Sequence, residues 1–201
     1  TLQMLARTEA QHSLEQIQEL TGISLEQINY MESIITDVMS YSRPDALKKE
    51  WLAIPKLIDQ TLLLMQRVIT DSKSEIITYY QSGLPTAFID PSKLQQVITN
   101  LVSNAIQSTE YDKTPQIKIS ASLLMTDIGS KIQIDIEDNG KGIDDDFKKR
   151  IFDPFVTTKR GQGGSGLGLN IVFNLVNAKL GGTIKSVEAE QGVNFKVKVP
   201  I

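Results

Sequence analysis

The stretch Lys131–Ile143, KIQIDIEDNGKGI, decides the fold. Ile132, Ile134 and Ile136 alternate with Gln133, Asp135 and Glu137, which is the period of a half-buried strand. Asp138 lies two residues beyond Ile136, so a strand that continues turns it to the isoleucine face, toward the core. A carboxylate aimed inward needs donors or a ligand, because an unpaired buried charge is too costly. Gly140 and Gly142 follow at once and let the backbone turn sharply and approach something flat. A carboxylate at the bottom of a glycine-lined slot suits a base with an exocyclic amine.

Outward from this stretch, Gly161–Leu169 reads GQGGSGLGL and runs into the apolar series Leu167, Leu169, Ile171, Val172 and Phe173. The pattern predicts a glycine loop entering a buried helix over Gly164–Lys179, stopped by Leu180-Gly181-Gly182. Such a junction offers free backbone N–H groups at a positive dipole end, an anion site. Upstream, Asp90-Pro91 opens a helix with Asp at the cap and Pro at the first position. Its apolar positions are Leu94, Val97, Ile98, Leu101 and Ala105, and Asn100 and Asn104 stand one turn apart beside them. Asparagine is a poor interior helix residue, so a stacked pair needs a reason; amide oxygens are hard ligands suited to Mg²⁺ beside phosphates. A DNG turn or a glycine run alone is weak, but this ordered set with the basic Lys159-Arg160 between the glycine stretches is much stronger.

Composition excludes several classes. The chain has 201 residues, enough for one good core with a small appendage. A net charge of −3 gives no reason to expect nucleic acid or an anionic membrane as partner. With no cysteine, disulfides and thiolate metal sites are out. No apolar run approaches transmembrane length, and Thr1 falls inside a helical pattern without an initiator Met, so the chain is read as a cytoplasmic piece of something longer. Any membrane attachment, to a bacterial inner membrane, would lie in other segments of the parent.

The first 47 residues read as an αα-hairpin, with a break at Thr21-Gly22 and a capping box from Ser24 and Gln27 opening the second helix. Asp45–Glu50 is a charged linker at the boundary with a second domain, 48–201. Within that domain the patterns predict a short edge strand at Trp51–Ile54 and a helix over Lys56–Asp71 with Val68 and Ile69 inward. They also predict strands at Glu75–Gln81 and Thr86–Ile89 joined by Ser82–Pro85. A hairpin of Gln116–Leu124 with Lys131–Glu137 follows, turning around Thr126–Ser130. A closing hairpin pairs Thr183–Glu188 with Phe195–Val199.

Four segments carry a family resemblance. DNGKGI and GGSGLGL resemble the two glycine boxes of the histidine-kinase and related ATPase superfamily, IFDPFVTTK the phenylalanine box of sensor histidine kinases, and QQVITNLVSNAIQST their asparagine box. All four occur in the family order, and the match covers about Leu52–Ile201. The resemblance implies an α+β fold, a two-layer sandwich of a mixed sheet backed by helices, preceded by a helical hairpin that dimerises through 1–47 into a four-helix bundle. It implies an ATP-dependent protein-histidine kinase of a two-component system. Such an enzyme binds Mg-ATP and passes the γ-phosphoryl to a histidine, from which a response-regulator receiver domain takes it.

It also implies roles residue by residue. Asp138 would accept from the adenine amine, with Gly140, Gly142 and Ile143 shaping the adenine wall. Asn104 would hold Mg²⁺ and Asn100 support the phosphates. Gly164, Ser165, Gly166, Leu167 and Gly168 would line the phosphates, and Asp144–Gly164 would form the ATP lid, anchored by Phe152 and Phe155, with Thr158 and Lys159 at the nucleotide. Arg160 is as well read as a solvated basic turn. Gln107 stands where many members carry a basic residue, so no catalytic cation is assigned there. The family's acceptor box, His-Glu-x-x-Asn/Thr-Pro, does not occur: the sole histidine, His12, is followed by SLEQI and reads as an ordinary bundle or surface residue. The alternatives are another ATPase or serine kinase of the superfamily, or a dimerising signalling module whose nucleotide site is only regulatory.

Overall fold

A computed structural model describes residues 16, 17, 20–22, 24, 28, 31, 46–109, 113–126, 129–158 and 165–201. They fall into two compact units, Thr1–Arg43 with Thr157–Gly166, and Pro44–Val156 with Leu167–Ile201. His12, Lys159, Arg160, Gly164 and most of the expected hairpin lie outside the described residues.

In the first unit every described residue from Gln16 to Met31 is helical, including Thr21 and Gly22, where the sequence reading puts a turn. The Thr21 hydroxyl donates to the Ile17 carbonyl at 2.6 Å and the Ser24 hydroxyl to that of Leu20 at 2.7 Å. Both side chains thus bond back one turn instead of capping a new helix. A glycine inside a helix costs only about 1 kcal/mol, which neighbouring helix formers offset.

The second unit contains, in chain order, β1 (Glu50–Leu52), α1 (Ile54–Leu64), α2 (Gln66–Asp71), β2 (Glu75–Tyr80), β3 (Ala87–Ile89), α3 (Pro91–Ser108), β4 (Gln116–Thr126), β5 (Gly129–Asp138), α4 (Asp145–Lys148), α5 (Gly168–Asn174), β6 (Thr183–Glu188) and β7 (Val193–Pro200). A π-helical turn, Leu175–Lys179, continues α5. The main sheet has the order β2-β4-β5-β7-β6; β2 and β4 are parallel and the other pairs antiparallel, so the sheet is mixed. Helices cover one face. The rows Ile119–Ile136–Phe195 and Ala121–Ile134–Val197 cross neighbouring strands and are buried, so period-two alternation on each strand becomes one apolar face. Each such side chain, fully buried, contributes roughly 1.5–3 kcal/mol. Against this face α3 sets Leu94, Val97, Ile98, Leu101, Val102 and Ala105.

Four local expectations need correction. The strand at Trp51 ends at Leu52, and Ile54-Pro55 instead open α1, because proline suits a first helical turn. The helix expected over Lys56–Asp71 breaks at Met65, whose φ of −87° and ψ of 1° separate α1 from α2; Val68 beyond it is exposed. Thr86–Ile89 does not join the main sheet: β3 pairs with β1 in a separate two-stranded ribbon, Trp51 opposite Phe88. The helix expected over Gly164–Lys179 starts later, at Gly168, because the glycines before it favour loop, and its last turn widens into the π turn. Among the described residues no helix is long and apolar enough to cross a membrane.

Candidate functional site: a nucleotide cradle at the end of the sheet

Asp138 is the last residue of β5, and the strand's alternation carries it inward as its parity predicts: it is 6% exposed. Its Oδ1 accepts the Gly140 backbone N–H at 2.8 Å and the Ser108 hydroxyl at 3.2 Å, and the backbone N–H of Val193 also donates to the carboxylate. Burial pushes the carboxyl above the ordinary carboxylate range, and these three donors only partly offset it. A carboxylate held this way is a fixed, poorly hydrated acceptor, which is what an amine donor in a slot requires.

The slot needs its glycines. A Cβ on Gly140 would overlap the Ser108 hydroxyl and lie 2.8 Å from Asp138 Oδ1. Gly142 has φ +79°, a left-handed conformation that glycine adopts without strain. Between the two, Lys141 N–H bonds to the Ser108 carbonyl at 3.3 Å, and Asn139 ties the turn to β4 by accepting from Gln116 N–H at 2.8 Å. Ile143 packs against the core at the exit. Three participants carry no signal in the local sequence: Ser108, Val193 and Gly192. A Cβ on Gly192 would overlap the Asp138 carbonyl, and its φ is +76°.

A hydrogen-bonded cap places the asparagine helix. Buried Asp90 accepts from Ser92 N–H at 3.0 Å, Ser92 hydroxyl at 2.7 Å and Lys93 N–H at 3.3 Å at the start of α3, and from Lys48 N–H at 2.8 Å. Burial alone would raise this carboxyl, but the donors outweigh it and hold it below the usual range. Asn100 and Asn104 are half-buried on the flank of α3. A Cβ on Gly168, the first residue of α5, would lie 3.8 Å from the amide oxygen of each. Two hard oxygens therefore converge beside the first turn of α5, the place a cation and phosphates would share. Among the described residues no cluster of His, Cys, Asp or Glu is arranged to hold a metal.

Leu167 is buried and caps α5, its carbonyl accepting Ile171 N–H at 2.8 Å. Phe152 is half-buried, its ring 5.2 Å from that of Phe173; Phe155 is 61% exposed with φ +63°. Phe147 packs against the core. Thr158, Ser165 and Gly166 (φ +69°) belong to the first unit, Thr158 exposed and Ser165 half-buried.

Comparison with known proteins gives the family and the fold. Residues 89–201 match the family described as histidine kinase-, DNA gyrase B- and HSP90-like ATPase. The signal transduction histidine-protein kinase AtoS of Escherichia coli K12 is 31% identical over 184 residues, which are 92% of this chain but 29% of AtoS. The chain thus spans under a third of that relative. The catalytic domain of histidine kinase ThkA superposes with a TM-score of 0.67 at 28% identity, covering 77% of this chain and 96% of that one. Full-length ShkA in complex with AMPPNP gives 0.72 at 30% identity, covering 86% and 36%. ThkA in complex with the response regulator TrrA gives 0.72 at 26%, covering 87% and 48%. This chain belongs to the histidine kinase-, DNA gyrase B- and HSP90-like ATPase family, and its fold is that of the histidine kinase catalytic domain it superposes on.

Proposed function

We propose that this domain binds ATP with Mg²⁺ and presents the γ-phosphoryl to a histidine, from which an aspartate of a response-regulator receiver domain takes it. The observation that carries the reading is the buried Asp138 carboxylate, fixed by Gly140 N–H at 2.8 Å, at the mouth of a slot too tight for any side chain at position 140. Asp138 accepts from the adenine amine while Gly140, Gly142 and Ile143 form the wall. Asn104, with Asn100 behind it, holds Mg²⁺, which neutralises phosphate charge when bound. Leu167 and Gly168 offer backbone donors to the phosphates, and Phe152 and Phe155 anchor the lid. Little covalent chemistry is asked of this domain; positioning and charge neutralisation dominate phosphoryl transfer.

The AMPPNP complex of ShkA and the TrrA complex of ThkA support the nucleotide and the regulator respectively. Residues 1–47 serve as a dimerising segment and 48–201 as the catalytic domain; exposed Ile17, Leu20, Ile28 and Met31, at helical spacing, support the former. The acceptor histidine is supplied from elsewhere in the parent, since HSLEQI around His12 is not an acceptor box. The test is titration of the chain with ADP, with Mg²⁺ and with chelator, beside Asn104→Ala. Affinity that rises with Mg²⁺ in the unmutated chain and not in the variant supports the reading. Affinity indifferent to Mg²⁺ in both, or no binding, overturns it in favour of a signalling module.

A further inference from the structure

We propose that Asn170, oriented by Asn174, is a positioning residue that fastens the aromatic segment around Phe152 to the first turn of α5. Its purpose rests on the nucleotide reading above; its geometry does not. Asn170 Nδ2 donates to the Phe152 carbonyl at 2.8 Å, and Asn170 Oδ1 accepts from Asn174 Nδ2 at 3.1 Å. The two asparagines are one helical turn apart, so the second meets the first on the same face. With its oxygen engaged by Asn174, the amide of Asn170 turns its N–H end to Phe152. Phe173, from the same helix, stacks on the Phe152 ring at 5.2 Å. Phe152 is thus gripped twice by α5, at its main chain and at its ring.

Three residues further on, Phe155 stands at φ +63° with its ring exposed. A bulky side chain keeps that conformation only where its surroundings impose it. The Asn170 bond is one such constraint, fixing the segment just before the strained residue. Asparagine at position 174, where α5 runs on into the π turn, is otherwise a poor choice for a helix interior. Gly168, which faces the amide oxygens of Asn100 and Asn104, lies two residues before Asn170.

A helix-stabilising role and a fastening role predict opposite orders for two substitutions. Asn170→Asp keeps the shape and puts a carboxylate in the first turn of α5, which favours the helix. It also removes the N–H and sets an oxygen against the Phe152 carbonyl. The experiment is hydrogen–deuterium exchange over residues 150–156 in the nucleotide-free chain, with thermal melts, for the unmutated protein, Asn170→Ala, Asn170→Asp and Asn174→Ala. The expected result is exchange faster by about tenfold in Asn170→Ala. It is at least as fast in Asn170→Asp, although that variant melts no lower than Asn170→Ala, and the increase is smaller in Asn174→Ala. Unchanged exchange in Asn170→Ala, or slower exchange in Asn170→Asp than in Asn170→Ala, overturns the proposal. Should both Asn170 variants misfold, Asn174→Ala decides: faster exchange supports it and unchanged exchange overturns it. A parallel run with Mg-ADP keeps the two ideas apart, since loss of nucleotide binding strikes the proposed function and leaves the ligand-free comparison standing.

Discussion

The Ser108 hydroxyl donates to Asp138 Oδ1 at 3.2 Å, joining the last residue of α3 to the last residue of β5. The same helix carries Asn104 one turn earlier, roughly 6 Å along its axis, and Asn100 one turn before that. Asp138 and the two asparagines are therefore tied to one rigid element, whose start is fixed by the Asp90 cap; in the proposed function these are the base end and the phosphate end of the cradle. The distances between the Asp138 carboxylate and the asparagine amides are governed by the helix, not by loops.

Gly140→Ala should cost both stability and binding. The new Cβ overlaps the Ser108 hydroxyl and crowds Asp138 Oδ1, so the turn must move and the carboxylate with it. Overpacking of this kind costs about 1–3 kcal/mol. Denaturant unfolding and nucleotide titration check it; Ser108→Gly in the same chain should restore part of both losses. A variant with unchanged affinity would mean that the slot is not shaped at position 140.

Asp138→Asn should separate stability from function. Burial raises the Asp138 carboxyl above its ordinary 3.8, so the folded chain binds the proton more tightly than the unfolded one. Stability therefore falls as pH rises from 3.8 through the folded value and stays penalised above it. The neutral amide avoids that penalty. Melts should show Asp138→Asn as stable as the unmutated chain or more so at neutral pH, with the advantage shrinking as pH is lowered. A variant markedly less stable at neutral pH would contradict this.

Asp90→Ala should show the reverse sign. The donors at the start of α3 hold this carboxyl below 3.8, so its contribution is present above that value and is lost as pH falls through the folded one. Loss of the cap costs about 1 kcal/mol at neutral pH, and more where Lys48 N–H is also left unpaired. The deficit measured by urea unfolding should narrow in acid.

Much of the cradle was legible because its signals are local. The isoleucine alternation gave the parity of Asp138, the Asp-Pro pair gave the start of α3, and the paired asparagines stood one turn apart in the chain itself. What escaped depends on segments remote in sequence. Gly192 and Val193 meet Asp138 only after β7 is laid beside β5, and Ser108 only after α3 packs against the sheet. The ribbon of β1 with β3 was invisible for the same reason, since both read as ordinary short strands. Thr21-Gly22 differs for another reason: both residues favour a helix end but lie in a helix, and the Thr21 and Ser24 hydroxyls bond back one turn instead of capping a new one.

Gly192→Ala tests one of the residues the sequence hid. Its φ of +76° strains any side chain by about 1–2 kcal/mol, and the added Cβ meets main chain at Asp138, which cannot swing aside. Thermal melts should show a loss larger than that of Gly142→Ala, where φ is also positive but the nearest atom is 3.7 Å away. Equal losses would mean that the β7 approach is looser than the geometry requires.

The most direct measurement is calorimetric binding of ADP and a non-hydrolysable ATP analogue to the unmutated chain and to Asp138→Asn, each checked as folded by its melt. Binding by the unmutated chain, abolished or much weakened in a variant that is no less stable, is the predicted result and assigns the base to Asp138. Equal affinity in the two proteins, or no binding by the folded unmutated chain, would contradict the cradle.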